Sequence, residues 1–244
     1  MHASIVGPFT RNTQMEKIKM KTKAALLASA LLGSTALAGI PAVDVSIDDS
    51  SAPWLGFMNV FELPANGGGF VFGSGWGVPD LTASFDDGAG TLTMGPNTVG
   101  DPDPFWYVGG GGPGAMGNKY MEANLYQEVT GSYSGTTVTF SGNILSDTFT
   151  DAHQASVFIR DFSADYSSSV DLIVAVDAAG NFSISLDTIA DAGRHVQWGI
   201  RVEGENVWVT DVDPFGTVVF GTVPTPGAFA LLGLGGLMTS RRRR

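Results

Sequence analysis

Apolar and polar residues alternate through most of the chain, with the period of two that is typical of a strand with one buried face. In one stretch Phe182, Ile184 and Leu186 alternate with two serines and an aspartate, and residues 196–202 repeat the pattern. The pattern predicts strands at 56–63, 69–73, 81–85, 91–94, 119–129, 136–142, 154–162, 169–176, 182–187, 196–202 and 207–212.

Short runs rich in glycine, asparagine and aspartate separate several of these strands, at 86–90, 177–181 and 203–206. These residues favour turns. Helical periodicity is nearly absent, and only residues 186–193 are predicted to contain a helical turn. The pattern therefore predicts an all-β fold, a single antiparallel β-sandwich. The Gly/Pro-rich stretch 95–118 predicts a long loop, and loops of this length are usually either functional or mobile.

The first 38 residues have the organisation of an export signal. Four lysines between positions 17 and 23 precede an apolar run over 24–37, and Ala36-Leu37-Ala38 has the small-x-small form of a cleavage site. We expect a signal helix that signal peptidase removes after Ala38. An uncleaved membrane helix is the alternative. Residues 1–14 precede a complete signal peptide, so a start at Met15 or Met20 stays open.

The last 22 residues form a second distinct segment. Val223-Pro224-Thr225-Pro226 precedes an uncharged apolar run over 228–238 and four arginines at 241–244. A helix over 227–240 would be roughly 21 Å long, against about 30 Å of bilayer hydrocarbon. The sequence therefore predicts a short helix held transiently in the cytoplasmic membrane, with its arginines on the cytoplasmic side. An ordinary C-terminal anchor is the alternative.

This three-part tail resembles the bacterial PEP-CTERM sorting signal, in which Val-Pro-Glu-Pro precedes the helix. Thr225 stands in place of the glutamate. The resemblance implies processing by an exosortase-like enzyme and delivery to the cell envelope or the extracellular matrix. We therefore expect three parts: a signal peptide at 1–38, a β-sandwich domain at 39–222 and a sorting tail at 223–244.

The predicted domain is far more acidic than the whole chain, whose formal charge is −11. Nine of the thirteen lysines and arginines lie in the leader or the tail. Residues 39–222 keep Lys119, Arg160, Arg194 and Arg201 against 23 carboxylates, which gives −19. This charge argues against nucleic acid and anionic lipid as partners, and it suits cations or neutral polysaccharide. The chain has no cysteine, so disulfides and thiol chemistry are excluded.

The predicted domain also resembles galactose-binding-like jelly rolls, including the family 4 and 9 carbohydrate-binding modules. The resemblance rests on Asn59-Val60-Phe61-Glu62 followed by Trp76, on the segments 125–129 and 135–141, and on the closing segment 207–212. It implies the jelly-roll form of the sandwich. A structural calcium in those modules is commonly held by an early glutamate and a late aspartate, which implies a candidate Ca²⁺ site at Glu62 and Asp211. Two solvated charges at strand ends are the alternative.

Aromatic residues in the long loop are candidates for ligand binding. Phe105-Trp106-Tyr107 precedes a run of glycines, and a flat ring on a loop rim can stack against a sugar. Trp106 and Tyr107 are therefore candidate ligand-binding residues, and extracellular polysaccharide is a candidate partner. Anchoring of the loop to the core is the alternative.

The sequence contains no motif that indicates catalysis. His153 and His195 lack the spacing of a His-Glu-x-x-His zinc site, and no Gly-x-Ser-x-Gly nucleophile motif is present. We therefore expect no enzyme. Two hypotheses follow: a non-enzymatic exported surface or matrix protein with a structural or adhesive role, or a carbohydrate-binding module associated with exopolysaccharide.

Overall fold

The computed structural model describes residues 40–224, which form β-strands joined by turns and three short 3-10 segments, Pro64–Asn66, Val78–Leu81 and Asp213–Phe215. The strands are β1 (Ala42–Val45), β2 (Leu55–Glu62), β3 (Phe70–Gly75), β4 (Ala83–Asp86), β5 (Thr91–Met94), β6 (Thr98–Val99), β7 (Lys119–Thr130), β8 (Thr137–Asp147), β9 (His153–Phe162), β10 (Ser169–Val176), β11 (Gly180–Asp187), β12 (His195–Glu205), β13 (Val207–Trp208) and β14 (Val218–Gly221).

Two six-stranded sheets contain nearly all of these strands. The first sheet has the order β11-β8-β14-β5-β4. In this sheet β1 pairs with the first residues of β8 and β14 pairs with its last residues, so both lie along the same edge of β8. The second sheet is antiparallel throughout, with the order β10-β9-β12-β7-β2-β3. The predicted all-β sandwich is confirmed.

A single hydrophobic core lies between the two sheets, because alternation along each strand directs every second side chain inward. Met58, Leu125 and Ile200 enter it from the second sheet, and Phe140 and Phe220 from the first, all with no exposed surface. Each such side chain stabilises the fold by about 1.5–3 kcal/mol relative to an exposed one.

Most predicted strands are present, and the errors have identifiable causes. The turn predicted at 203–206 is wrong because Gly204 lies inside β12, which continues to Glu205. The helical turn predicted at 186–193 is also wrong, since β11 ends at Asp187 and no helix follows it before β12. The strand predicted at 207–212 ends at Trp208. Strands β1, β6 and β14 were not predicted.

The turn at 177–181 joins different sheets, because β10 belongs to the second sheet and β11 to the first. The turn at 86–90, in contrast, joins the paired hairpin strands β4 and β5.

The long loop at 95–118 is fixed in place by buried side chains. The Asn97 amide donates to the carbonyl oxygen of Met121 over 2.8 Å. The Tyr107 hydroxyl donates to two backbone carbonyl groups. The Asn206 amide donates to the carbonyl oxygen of Trp106 over 2.9 Å. Buried polar groups satisfied in this way hold the loop against the ends of the sheets.

A buried ion pair fixes the connection from β11 to β12, which crosses from the first sheet to the second. Asp161 is fully buried, and its Oδ1 lies 2.6 Å from Nε of Arg194. The second carboxylate oxygen accepts the backbone N–H of Ile189 over 2.7 Å. Arg194 also donates to the carbonyl oxygen of Asp161.

His153, at the start of β9, is buried between two aromatic rings. Its ring centroid lies 5.9 Å from that of Phe149 and 5.4 Å from that of Phe215. Among the described residues neither ring nitrogen has a hydrogen-bond partner. Burial lowers the pKa of His153 to about 4, against a weaker opposing influence from the backbone of Glu205.

The predicted export and sorting segments lie almost entirely outside the described residues. This applies to the signal helix, to the C-terminal helix and to four of the predicted processing residues, Ala36, Ala38, Thr225 and Pro226. Val223 is described: its N–H donates to Ile47, and its carbonyl oxygen accepts from Asp49, both over 2.9 Å. Within residues 40–224 no helix has the length and apolar character needed to cross a membrane.

We expect Asp161→Asn to lower the free energy of unfolding by about 3–5 kcal/mol, because the buried Arg194 loses its counter-charge. Urea unfolding of the purified protein measures this change. Asp191→Asn, at an exposed position of the same connection, is the matched control and should change stability little. Equal effects of the two substitutions would contradict a structural role for the ion pair.

We expect stability to fall between about pH 6.5 and pH 4 through His153, because in this window the unfolded chain binds a proton that the folded chain does not. The contribution of His153 is fully present above this window, and about 3 kcal/mol of it is lost across the window. His153→Leu should flatten the dependence, as measured by urea unfolding at a series of pH values. Parallel curves for the variant and the wild type would refute this assignment.

Candidate functional site: the outer face of the second sheet

The two carboxylates of the predicted calcium site have different partners. Glu62 lies at the end of β2, and its Oε2 is 3.1 Å from Nζ of Lys119. The Asp211 carboxylate accepts the backbone N–H of Gly114 over 2.6 Å. Within residues 40–224 no three His, Asp or Glu side chains are grouped to hold a metal ion. A calcium ion at Glu62 and Asp211 stays a prediction.

The structure separates the two aromatic candidates of the long loop. Tyr107 has no exposed surface, and its ring packs edge-on against Trp208. It therefore offers no face to a sugar, which corrects the expectation for this residue. Trp106 is half-buried, with its ring 4.8 Å from that of Phe105 and 6.1 Å from that of Phe72.

A different surface, the outer face of the second sheet, brings together residues that the sequence analysis did not select. The same alternation that sends apolar residues inward directs large polar and aromatic side chains outward from β2, β7, β9 and β12. They align in rows across the sheet: Arg160, Gln197 and Glu128 are direct neighbours in one row. Leu55 and Tyr126 are neighbours in the next row.

The outer face encloses a hollow of about 710 Å³. Its walls carry the aromatic side chains Phe57, Tyr126, Phe162 and Tyr166. Gly199 occupies the middle of the face between Tyr126 and Phe158. A Cβ atom at Gly199 would collide with the carbonyl oxygen of Leu125, so the glycine allows β12 to approach the backbone of β7 closely. The volume of the hollow is typical of small-molecule sites.

Glu122 is the centre of a hydrogen-bond network on this face. Its Oε1 accepts the side-chain amides of Asn59 over 3.0 Å and Asn124 over 3.1 Å. Two guanidinium groups approach it, Arg201 at 3.3 Å and Arg160 at 3.6 Å. Burial acts to raise the pKa of Glu122, but the two amides and the two arginines outweigh burial and hold the pKa below its ordinary value.

A second group surrounds Glu128 at one end of the hollow. The Gln197 amide donates to Oε2 over 2.7 Å, and the Tyr166 hydroxyl donates to Oε1 over 2.9 Å. Burial, followed by the hydrogen bond to Glu128, raises the pKa of Tyr166 to about 12. The Tyr166 ring stacks on His195, with centroids 4.0 Å apart.

The loop between β9 and β10 holds Tyr166 in place. Tyr166 has a φ of 56°, in the left-handed region that side chains other than glycine seldom adopt. The neighbouring Asp165 accepts hydrogen bonds from the hydroxyl of Ser167, from the hydroxyl of Ser163 and from the N–H of Ser167, and these lower the pKa of Asp165 to about 2. Such strain is often found where a side chain is positioned for function.

The sequence did carry a signal for this face. Glu122, Asn124, Tyr126 and Glu128 occupy every second position of β7, alternating with the buried residues Ala123, Leu125 and Gln127. The exposed positions of β11, in contrast, carry mainly serine and asparagine. Large hydrogen-bonding and aromatic residues on the solvent side of a strand indicate a candidate binding surface. The neighbouring strands that complete the site, however, could be identified only from the strand registers.

The chemistry of the arrangement suits a flat polar ligand. Partly or largely exposed aromatic rings offer stacking surfaces, and the side chains of Asn59, Asn124, Gln197 and Glu128 offer hydrogen-bond donors and acceptors. The chain matches no protein-family model and no curated protein sequence.

We expect Glu122→Gln to lower the free energy of unfolding by about 1–3 kcal/mol at neutral pH, because glutamine keeps the shape but not the charge that balances two arginines. Because the pKa of Glu122 is depressed, its contribution is lost as the pH falls through the folded-state pKa.

The deficit of Glu122→Gln should therefore shrink toward acid, as urea unfolding at several pH values would measure. Glu203→Gln removes a contact with Arg201 alone and should cost less at neutral pH. A deficit that does not change with pH would contradict the role of the Glu122 charge.

Proposed function

We propose that this chain is a non-enzymatic exported protein of the cell envelope or extracellular matrix that binds polysaccharide through the outer face of its second sheet. The observation that carries this proposal is the hollow of about 710 Å³, with aromatic walls and a hydrogen-bonded polar floor. Sugars present hydroxyl groups around their rim and C–H groups on their faces, which such a mixed surface suits.

The sequence supports export and sorting. The N-terminal leader is a signal peptide that signal peptidase removes after Ala38. The tail at 223–244 is a PEP-CTERM-like sorting signal with its arginines in the cytoplasm. An exosortase-like enzyme is the proposed processing partner, with the tail helix held transiently in the cytoplasmic membrane. Val223, the first residue of the motif, is hydrogen-bonded to Ile47 and Asp49, so the motif begins at a residue that is paired with the β-sandwich.

The jelly-roll form of the sandwich belongs to the same proposal. It is supported by the position of the first and last strands, since β1 and β14 lie along the same edge of β8. A parallel bridge between Asp48 and Val223 extends this contact between the two ends of the folded unit.

The charge of the domain favours polysaccharide over other polymers. A formal charge of −19 over residues 39–222 repels nucleic acid and anionic membranes. The aromatic side chains of the hollow suit a ligand that has both apolar and hydroxylated surfaces.

We expect Tyr126→Ala to weaken polysaccharide binding at least about tenfold, because it removes the ring beside the centre of the hollow. Affinity electrophoresis of the purified protein through gels that contain soluble neutral polysaccharides measures this change. Trp106→Ala, away from the hollow, is the control and should retain binding. Tyr126→Phe, which keeps the ring, tests whether the ring itself is needed.

The binding function would be contradicted if every polysaccharide retarded the wild type no more than it retarded Tyr126→Ala. The structural or adhesive hypothesis would then stand without a glycan ligand.

A further inference from the structure

The outer face of the second sheet has no positive charge available for an anionic ligand. Arg160 lies between two carboxylates, with Glu122 at 3.6 Å and Asp171 at 3.4 Å. Arg201 also lies between two, with Glu122 at 3.3 Å and Glu203 at 3.1 Å. Both guanidinium groups are therefore neutralised within the face, and a uronic acid would have to displace one of these carboxylates.

Glu128 differs from the other carboxylates because two of its three partners carry no charge. Its hydrogen bonds come from the Tyr166 hydroxyl and the Gln197 amide. His195 Nδ1 lies 3.4 Å from Oε1 and supplies a positive charge only when it is protonated. Glu128 lines the hollow, yet its side chain is only 16% exposed. It is thus a partly desolvated negative charge within reach of a ligand.

The two oxygens of Glu128 have capacity for a further donor. A carboxylate has about four acceptor positions, and the hydrogen bonds from Tyr166 and Gln197 use one on each oxygen. An ammonium group can therefore bind without breaking either bond. A charge-assisted hydrogen bond of this kind is about twice as strong as a neutral one.

We propose that the hollow is selective for amino-sugar polysaccharides, with the Glu128 carboxylate binding the free ammonium group of a sugar residue. The proposal rests on the proposed function, of which it names the ligand class. The net charge of the face supports it: the four carboxylates Glu122, Glu128, Asp171 and Glu203 stand against two arginines. Polymers of uronic acids are repelled by this excess.

Three polymers test the proposal with the full-length exported protein: a partly deacetylated N-acetylglucosamine polymer, the same polymer after complete re-acetylation, and polygalacturonate. Binding is measured at neutral pH, at which a fraction of the polymer's amino groups is protonated, and at two salt concentrations. We expect the amine-bearing polymer to bind about tenfold more tightly than its acetylated form, and polygalacturonate to bind most weakly.

Glu128→Gln should remove the preference for the amine-bearing polymer and bring the affinity ratio of the two forms close to one. Asp187→Asn is the matched control, because it makes the same charge change on the first sheet, where Asp187 accepts a hydrogen bond from Thr137. It should leave the ratio unchanged. A thermal melt of each variant establishes that the fold is retained.

Three results would overturn the proposal: equal binding of the two forms by the wild type, an equal loss of preference in Asp187→Asn, or strongest binding of polygalacturonate. An equal loss in the control would mean general attraction between a polycation and an acidic protein. Failure of the proposed function gives a different result, in which none of the three polymers binds and Tyr126→Ala behaves like the wild type.

Discussion

The buried ion pair of Asp161 and Arg194 sets the alignment on which the rest of the structure depends. It ties β9 to the residue just before β12, and these two strands carry Arg160, Gln197 and Arg201 on their outer face. A slip of one residue would turn every side chain of β12 to the opposite face of the sheet. It would also separate two buried charges. Separating the two partners of such a pair lowers the free energy of unfolding strongly, because each charge is left buried without its counter-charge. The pair therefore favours a single register of β9 and β12.

The two sheets use the same alternation to build opposite kinds of surface. On the first sheet the outward residues are short, and they form hydrogen bonds across β8 and β11, such as Thr139 with Ser185 at 3.0 Å and Ser141 with Ser183 at 2.9 Å. Such side chains satisfy one another. On the second sheet many of the outward residues are long, and those of β2, β7, β9, β10 and β12 border the open volume of the hollow. The same backbone pattern therefore gives one face whose side chains bond to one another and one face that borders an open hollow.

The fold class was largely predictable from the sequence, because the alternation of apolar and polar residues is a local property. It gives each strand one buried and one exposed face, which is the main requirement of a β-sandwich. The misses have physical reasons. Strand β14 is a continuous apolar run between two neighbours in the first sheet and does not alternate in polarity. Gly204 suggested a turn, but its lack of a side chain makes room for the His153 ring, with which a Cβ atom would collide.

The candidate site was not predicted, because its residues come from β2, β7, β9, β10 and β12. Only the registers place Arg160 beside Gln197, and registers depend on contacts between residues far apart in the chain. Tyr107 was wrongly assigned to ligand binding, because the sequence of a loop does not show whether a tyrosine is exposed or is buried with its hydroxyl hydrogen-bonded.

The position of β14 has a mechanical consequence. The strand that leads to residue 224 is hydrogen-bonded on one side to β8 and on the other to β5, and the chain just beyond it is bridged to Asp48. Tension applied to the C-terminal end along the strand axis loads both ladders in shear, so several hydrogen bonds must break together. A strand at the edge of a sheet would instead peel away one bond at a time. A protein held to a surface by this end would transmit pulling forces through the interior of its first sheet and leave the second sheet unloaded.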